Sequence, residues 1–192
     1  MADKRQLIIE AAQQIFLENG IEKTKVSDIV KRASIAQGTF YLYFPTKFAV
    51  MPEIAKHVVI DILAFLQDKV NAKANSEEQL EEVVDAIMQF NLLHKERLQL
   101  LYAGLAQSEF IGQWEDIYEP FYTWMAQIIE QGQQQNKIHK SLEASATAKI
   151  LIGTIESTAE QIYLFADVVE EVDVEQRIAL LKQFIRNALG IQ

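Results

Sequence analysis

Apolar side chains recur every three or four residues along nearly the whole chain, and only seven glycines and three prolines stand among its 192 residues to interrupt them. Those two residue types usually make up ~12% of a sequence, so tight turns are scarce here and hairpins, sandwiches and barrels are poor candidates. The fold expected is all-α, with about nine helices. A hydrophobic fraction of 49% is enough for a core and excludes intrinsic disorder. No cysteine occurs, which removes disulfides, thiolate metal sites and a cysteine nucleophile. The opening MADKRQLIIEAAQQ has no apolar run ahead of a cleavage site. The most apolar later run, Val58 to Leu66, is broken by Asp61 and too short for a span. A soluble cytoplasmic protein with no membrane partner is the expectation.

Leu7, Ile8, Ala11, Ala12, Ile15 and Phe16 predict a helix over 4–19, stopped by Asn19-Gly20. Thr24 suits the N-cap of a short helix through Ala33, and a second short helix fits Gln37 to Tyr43. Two short helices so tightly linked have helix-turn-helix spacing. Thr46 caps a long helix running to about 70, with a bend or a loosened first turn expected at Pro52. Ser76-Glu77-Glu78-Gln79 has capping-box spacing and opens the next helix. Further helices follow over 95–108, 113–136 with Pro120 inside, 143–167 and 174–189, and Gln131 to Asn136 reads as a frayed, solvated helix end.

The net charge of −9 is unevenly spread: the first 50 residues carry +2 and the rest −11. A mildly basic head on an acidic body is the charge pattern of a polyanion-binding module. The window Thr24 to Lys47 reads TKVSDIVKRASIAQGTFYLYFPTK. A recognition helix needs small and polar residues at its start and phosphate donors on its flanks. Gln37 suits an adenine edge, Thr39 offers a hydroxyl and a methyl, and Gly38 lets the backbone approach a groove. Thr24, Lys25, Ser27, Tyr41, Tyr43 and Lys47 are candidate DNA contacts from the flanks. Phe40 and Phe44 are expected to pack inward, and a small aromatic core with no DNA role is the competing reading of the same window.

Gly20, Thr24, Ile29 and Ala33, followed by Gly38-x-x-Tyr41-x-Tyr43-Phe44-x-x-Lys47, resemble the N-terminal pattern of the tetracycline-repressor (TetR/AcrR) family of bacterial transcription regulators. The resemblance covers about the first 50 residues. It implies a three-helix DNA-binding head over 1–50 with its helix-turn-helix motif at 25–44, and a helical effector-binding and dimerisation body over 51–192. It further implies a ligand-responsive repressor that binds a palindromic operator as a homodimer and is released by a small hydrophobic effector. Two positions depart from the family pattern: Ser34 stands where glycine is common, and Ala36 where a hydroxyl residue caps the recognition helix. The competing reading is a helical small-molecule carrier or sensor with a degenerate head.

In the body, Phe110, Trp114, Tyr118, Phe121, Tyr122 and Met125 fall near one helical face. By the resemblance, Phe90, Tyr102, Trp114, Tyr118, Tyr122 and Tyr163 are candidate effector-lining residues; a plain core with hydroxyls at its rim fits them equally. Glu156 shares a face with Ile152, Ala159 and Tyr163. It is open to three roles: counter-ion for a cationic ligand, partner of a basic side chain, or solvated acid. Ala144, Ala148, Leu151, Ile155, Thr158, Ile162 and Phe165, and then Val174, Ile178, Leu181, Ile185 and Ala188, step by four and three. Such seams suit a four-helix dimer interface, with Leu151, Ile155, Ile162, Ile178, Leu181 and Ile185 as its candidate residues, or else closure on the subunit's own core. His57, His94 and His139 lack metal-pair spacing and no Gly-rich phosphate loop occurs, so neither metal, cofactor nor enzymatic activity is expected.

Overall fold

The computed structural model describes residues 3–106, 111–164 and 171–191. Among these are nine α-helices and no strand: α1 (Lys4–Asn19), α2 (Val26–Arg32), α3 (Gln37–Tyr43), α4 (Met51–Lys69), α5 (Ser76–Leu93), α6 (Lys95–Ala106), α7 (Trp114–Gln134), α8 (Ala144–Tyr163) and α9 (Glu171–Leu189). Short 3-10 turns at Phe48–Val50 and Ile111–Gln113 precede α4 and α7. The bounds predicted for α1 and α3 agree with these to the residue. Residues 107–108, 110 and 165–167, to which the sequence reading assigned helix ends and an aromatic, lie outside the described residues.

Two compact units form: one from the N-terminal residues through Val59 with Glu96–Ile117, the other from Ile60–Lys95 with Tyr118–Gln192. The first unit therefore gathers more than the N-terminal 50 residues. Its core is built from Ile8, Phe16, Ile29, Phe40, Met51 and Leu101, all 1% exposed or less. A fully buried phenylalanine such as Phe16 or Phe40 contributes about 2 kcal/mol. Gly104 is needed there because a Cβ at that position would come within 3 Å of the Met51 and Ile21 side chains. Gly20 ends α1 with φ at +78°, a backbone that side chains other than glycine resist.

Several helix starts fall one residue from their expected caps. Lys25, not Thr24, is the N-cap of α2, with its N–H donating to the Asp28 carboxylate at 2.9 Å. Asn75, not Ser76, caps α5, its Oδ1 accepting from the N–H groups of Glu77 and Glu78 at 3.0 Å. Pro52 is the second residue of α4, where no N–H is required, and the turn just ahead of it is 3-10, so of the two outcomes expected there the loosened start is the one found. The Thr46 hydroxyl still accepts from the Ala49 N–H, within the 3-10 turn ahead of α4. The glutamine-rich end of α7 is a closed turn rather than a frayed one. Gln133 donates to the carbonyls of His139 and Leu142 at 3.0 and 2.7 Å, and Asn136 takes φ +58°.

The second unit packs α5 against α8 and α9. Leu66, Val83, Ile87, Phe90, Phe121 and Met125 are buried in it. The 4-3 seam of α8 and α9 is mostly covered within one protomer. Leu151, Ile155 and Ile162 of α8 and Leu181 and Ile185 of α9 are 6% exposed or less within one protomer, and Ile178 is half-buried. A heptad stripe is compatible with any close-packed helix neighbour, and here α5 and the α8–α9 contact fill it. The opposite faces are the open ones, with Ile150, Leu180 and Phe184 at 68%, 70% and 59% exposure. Ion pairs between Lys182 and Asp85 (2.6 Å) and between Arg186 and both Glu77 and Glu81 fasten α9 to α5.

Candidate nucleic-acid interface

The turn between α2 and α3 carries Ser34 at φ +55°, the left-handed backbone that explains why glycine is favoured at such a place. The turn closes through Ile35 N–H donating to the Val30 carbonyl at 3.0 Å. Ala36 is the N-cap of α3 and has no side-chain bond to give, yet α3 forms from the next residue. Beneath α3, Phe40 and Phe44 are buried as expected, their rings 5.9 Å apart, with the Arg5 guanidinium 5.5 Å from the Phe44 ring.

This inward anchoring leaves the rest of α3 outward. Gln37 and Gly38 are exposed, Thr39 is half-buried, and Tyr41 and Tyr43 are exposed. Lys25 and Ser27 at the start of α2 are exposed too. A Cβ on Gly38 would meet nothing within 4 Å, so no internal packing demands a glycine there. Leu42, which the sequence reading passed over, is 83% exposed and lies one turn beyond Gly38 on the same face. Helical phase was the signal for it: a residue four after Gly38 must share its exposure.

Two expected phosphate donors make internal hydrogen bonds. Thr24 is 2% exposed, and its hydroxyl donates to the Gly20 carbonyl at 2.8 Å. Lys47 Nζ donates to the carbonyl oxygens of Ile21, Glu22 and Thr24 at 2.6, 3.0 and 3.0 Å. Three acceptors converging on one ammonium hold the α1–α2 turn against the segment before α4. Arg32 is likewise turned toward α1, paired with Glu18 at 2.6 Å, and its hydrogen bonds hold the exposed Glu18 carboxyl below its ordinary pKa. Burial acts to raise Glu53, but Arg5 and Lys56, each 2.8 Å away, outweigh it and leave that carboxyl below its ordinary range.

Of the candidate effector residues, the second unit brings three together. Tyr118 donates its hydroxyl to Glu156 at 3.1 Å, and its ring lies 5.6 Å from that of Tyr122. Burial, opposed by the Tyr118 hydrogen bond and helped by the nearby Glu160, pushes the Glu156 carboxyl up to about 8. Tyr163, half-buried two turns along α8, is also pushed up by burial. Phe90 belongs to a different cluster, 5.6 Å from Phe65 and 4.4 Å from the His94 ring. Tyr102 and Trp114 belong to the first unit and are half-buried there. Among the described residues no group of histidines and acids is placed to hold a metal, and no helix is long and apolar enough to cross a membrane.

A three-helix N-terminal arrangement with the second helix of a helix-turn-helix turned outward, on an otherwise all-helical chain, defines a helix-turn-helix transcription regulator. The chain belongs to the tetracycline-repressor (TetR) family. Residues 8–54 match "Bacterial regulatory proteins, tetR family", and residues 80–189 match "Tetracyclin repressor-like, C-terminal domain". It is 33% identical over 191 residues to the HTH-type transcriptional regulator YvdT of Bacillus subtilis, covering 97% of this chain and 95% of that one. It is 27% identical over 160 residues to the fatty acid metabolism regulator protein of the same organism, covering 81% of each chain. The solved fatty acid degradation regulator FadR from Bacillus halodurans shares the fold, with a TM-score of 0.74 at 19% identity over 100% of this chain and 99% of that one. The protein is thus a DNA-binding regulator and not an enzyme.

Proposed function

We propose that the protein is a ligand-responsive repressor that binds a palindromic operator as a homodimer. The observation that carries this reading is the outward face of α3, where Gln37, Gly38, Tyr41, Leu42 and Tyr43 are exposed over a buried Phe40. Lys25, Ser27, Tyr41 and Tyr43 hold phosphates, Gln37 and Thr39 address base edges, and Leu42 presents an apolar surface of the kind that contacts a thymine methyl. A dimer places two such helices about 34–36 Å apart in successive major grooves. Residues 1–50 make up the reading head and 51–192 the effector-binding and dimerising body, and the protein acts in the cytoplasm.

The dimer forms through the open faces of α8 and α9. Ile150, Gly153 and Ser157 on α8 are spaced three and four residues apart and are all exposed; so are Leu180 and Phe184 on α9. Small residues at 153 and 157 suit the close approach of a symmetry-related helix. A small, largely apolar effector is received by the body near Tyr118, Tyr122 and Glu156, and the fatty-acid regulators among the relatives are in keeping with that chemistry. Effector binding favours a head spacing that no longer fits DNA, with α4 carrying the change. A coupling of about 1–3 kcal/mol relaxes repression 5- to 150-fold.

The test is fluorescence anisotropy with duplex DNA from upstream of the protein's own gene, at two salt concentrations and with unrelated duplex as competitor. Tight binding that survives competitor and scales as a dimer supports the repressor. Binding no better than to unrelated duplex, with ligands still raising the melting temperature, supports the carrier reading instead.

A further inference from the structure

A groove of about 270 Å³, open on one side, lies in the second unit between the C-terminal end of α4, the start of α5 and the middle of α7. Its walls include Gln67, Gln79, Gln127 and Gln131, with Trp124 and Ile128 beside them, and no charged side chain lines it. On an acidic chain with 23% charged residues this neutral lining is a local departure from the surface composition. Trp124, Gln127, Ile128 and Gln131 follow one another at helical spacing, so α7 presents them as a single stripe. Gln79 is fixed in place, 4% exposed, with its Nε2 donating to the carbonyl of Ala74 at 2.9 Å. Among the described residues the carboxamides of Gln67, Gln127 and Gln131 have no hydrogen-bond partner. The Trp124 indole is half-buried, with the Phe121 ring 6.4 Å away.

Carboxamides donate and accept at once, the capacity that a hydroxyl also has, and an indole face packs against the C–H side of a saturated ring. A lining that combines the two and carries no charge has no counter-ion for an anionic or cationic ligand. The room available is at the small end for a ligand site, which fits one ring rather than a chain. We propose that this groove binds a neutral polyhydroxylated ligand of about one sugar ring. It goes beyond the effector reading and does not depend on it, since the groove shares no residue with the Tyr118–Tyr122–Glu156 cluster.

Isothermal titration of the full-length protein with D-glucose, D-galactose, D-mannose, myo-inositol and sorbitol tests this, with D-glucuronate and D-glucosamine as charged counterparts. At least one neutral member is expected to bind saturably, to keep its affinity in high salt, and to bind more tightly than either charged counterpart. Gln127→Leu and Gln131→Leu, both at exposed positions, are each expected to weaken that binding about tenfold, the effect of one lost polar contact. Circular dichroism confirms that the variants stay folded. No saturable binding by any neutral member up to about 10 mM, a range that covers weak millimolar sites, overturns the proposal. So does binding that both glutamine variants leave unchanged. Neither result touches operator binding, which the anisotropy measurement reads separately.

Discussion

Replacing Lys47 by methionine distinguishes a lysine that holds phosphate from one that holds the fold. Methionine keeps the apolar stem and removes the ammonium that donates to the carbonyls of Ile21, Glu22 and Thr24. Hydrogen bonds from a charged donor contribute about 1.5–3 kcal/mol each. Here three acceptors share one half-exposed ammonium, and fixing a lysine side chain costs up to about 2 kcal/mol of rotamer entropy, so the net expected loss is about 2–3 kcal/mol. With a urea slope of about 2 kcal/mol/M, the midpoint should fall by about 1 M. DNA binding supplies the second readout. Were Lys47 a phosphate contact in each head, its removal from both subunits would flatten the plot of log K against log salt by about 1.8. The internal role predicts a slope within about 0.5 of the original, since the ammonium's partners are carbonyls and not phosphates. An unchanged urea midpoint together with a slope lower by about 1.8 would refute the reasoning, because the lysine would then be spent on DNA.

Ser34→Gly removes a side chain from a left-handed backbone at φ +55° and should stabilise the protein by about 0.5–1 kcal/mol in urea melts; a loss of stability would show that the serine hydroxyl is needed in the turn. Glu156 holds its proton up to about pH 8 in the folded chain, against 4.5 for the free side chain, so the folded state binds the extra proton and stability falls as pH rises from about 4.5 to 8. Glu156→Gln should match the native protein below about pH 4 and exceed it by about 2–4 kcal/mol at pH 9, allowing for the solvent access that the side chain keeps; parallel stability curves for the two proteins would contradict this. Phe184→Glu, at a 59%-exposed position, should leave helicity intact while shifting sedimentation from dimer to monomer and abolishing tight operator binding; a persisting dimer would move the interface elsewhere.

Local chemistry written in consecutive residues was legible in the sequence. The apolar period of α1, the Asn19-Gly20 stop and the short α3 between Ala36 and Phe44 all depend on neighbours within one or two turns, and so does the inward turn of Phe40 and Phe44. Resemblance at Gly38, Tyr41, Tyr43, Phe44 and Lys47 identified the head for the same reason, since a recognition helix is a nearly continuous segment. Caps were less secure, because Thr24 and Ser76 are chemically able to cap and only the folded turn decides that Lys25 and Asn75 do so. What depends on a distant partner was not legible. Lys47 is a phosphate donor by type, but the carbonyls that occupy it lie more than 20 residues earlier. The 4-3 stripe of α8 is the same whether it meets a second subunit or α5 of its own chain, and tertiary packing alone gave it to α5 and left Ile150, Leu180 and Phe184 on the surface. Glu156 and Tyr118, 38 positions apart, likewise become partners only when α7 is laid beside α8. Periodicity fixes which residues share a face, and only the three-dimensional arrangement decides what that face meets.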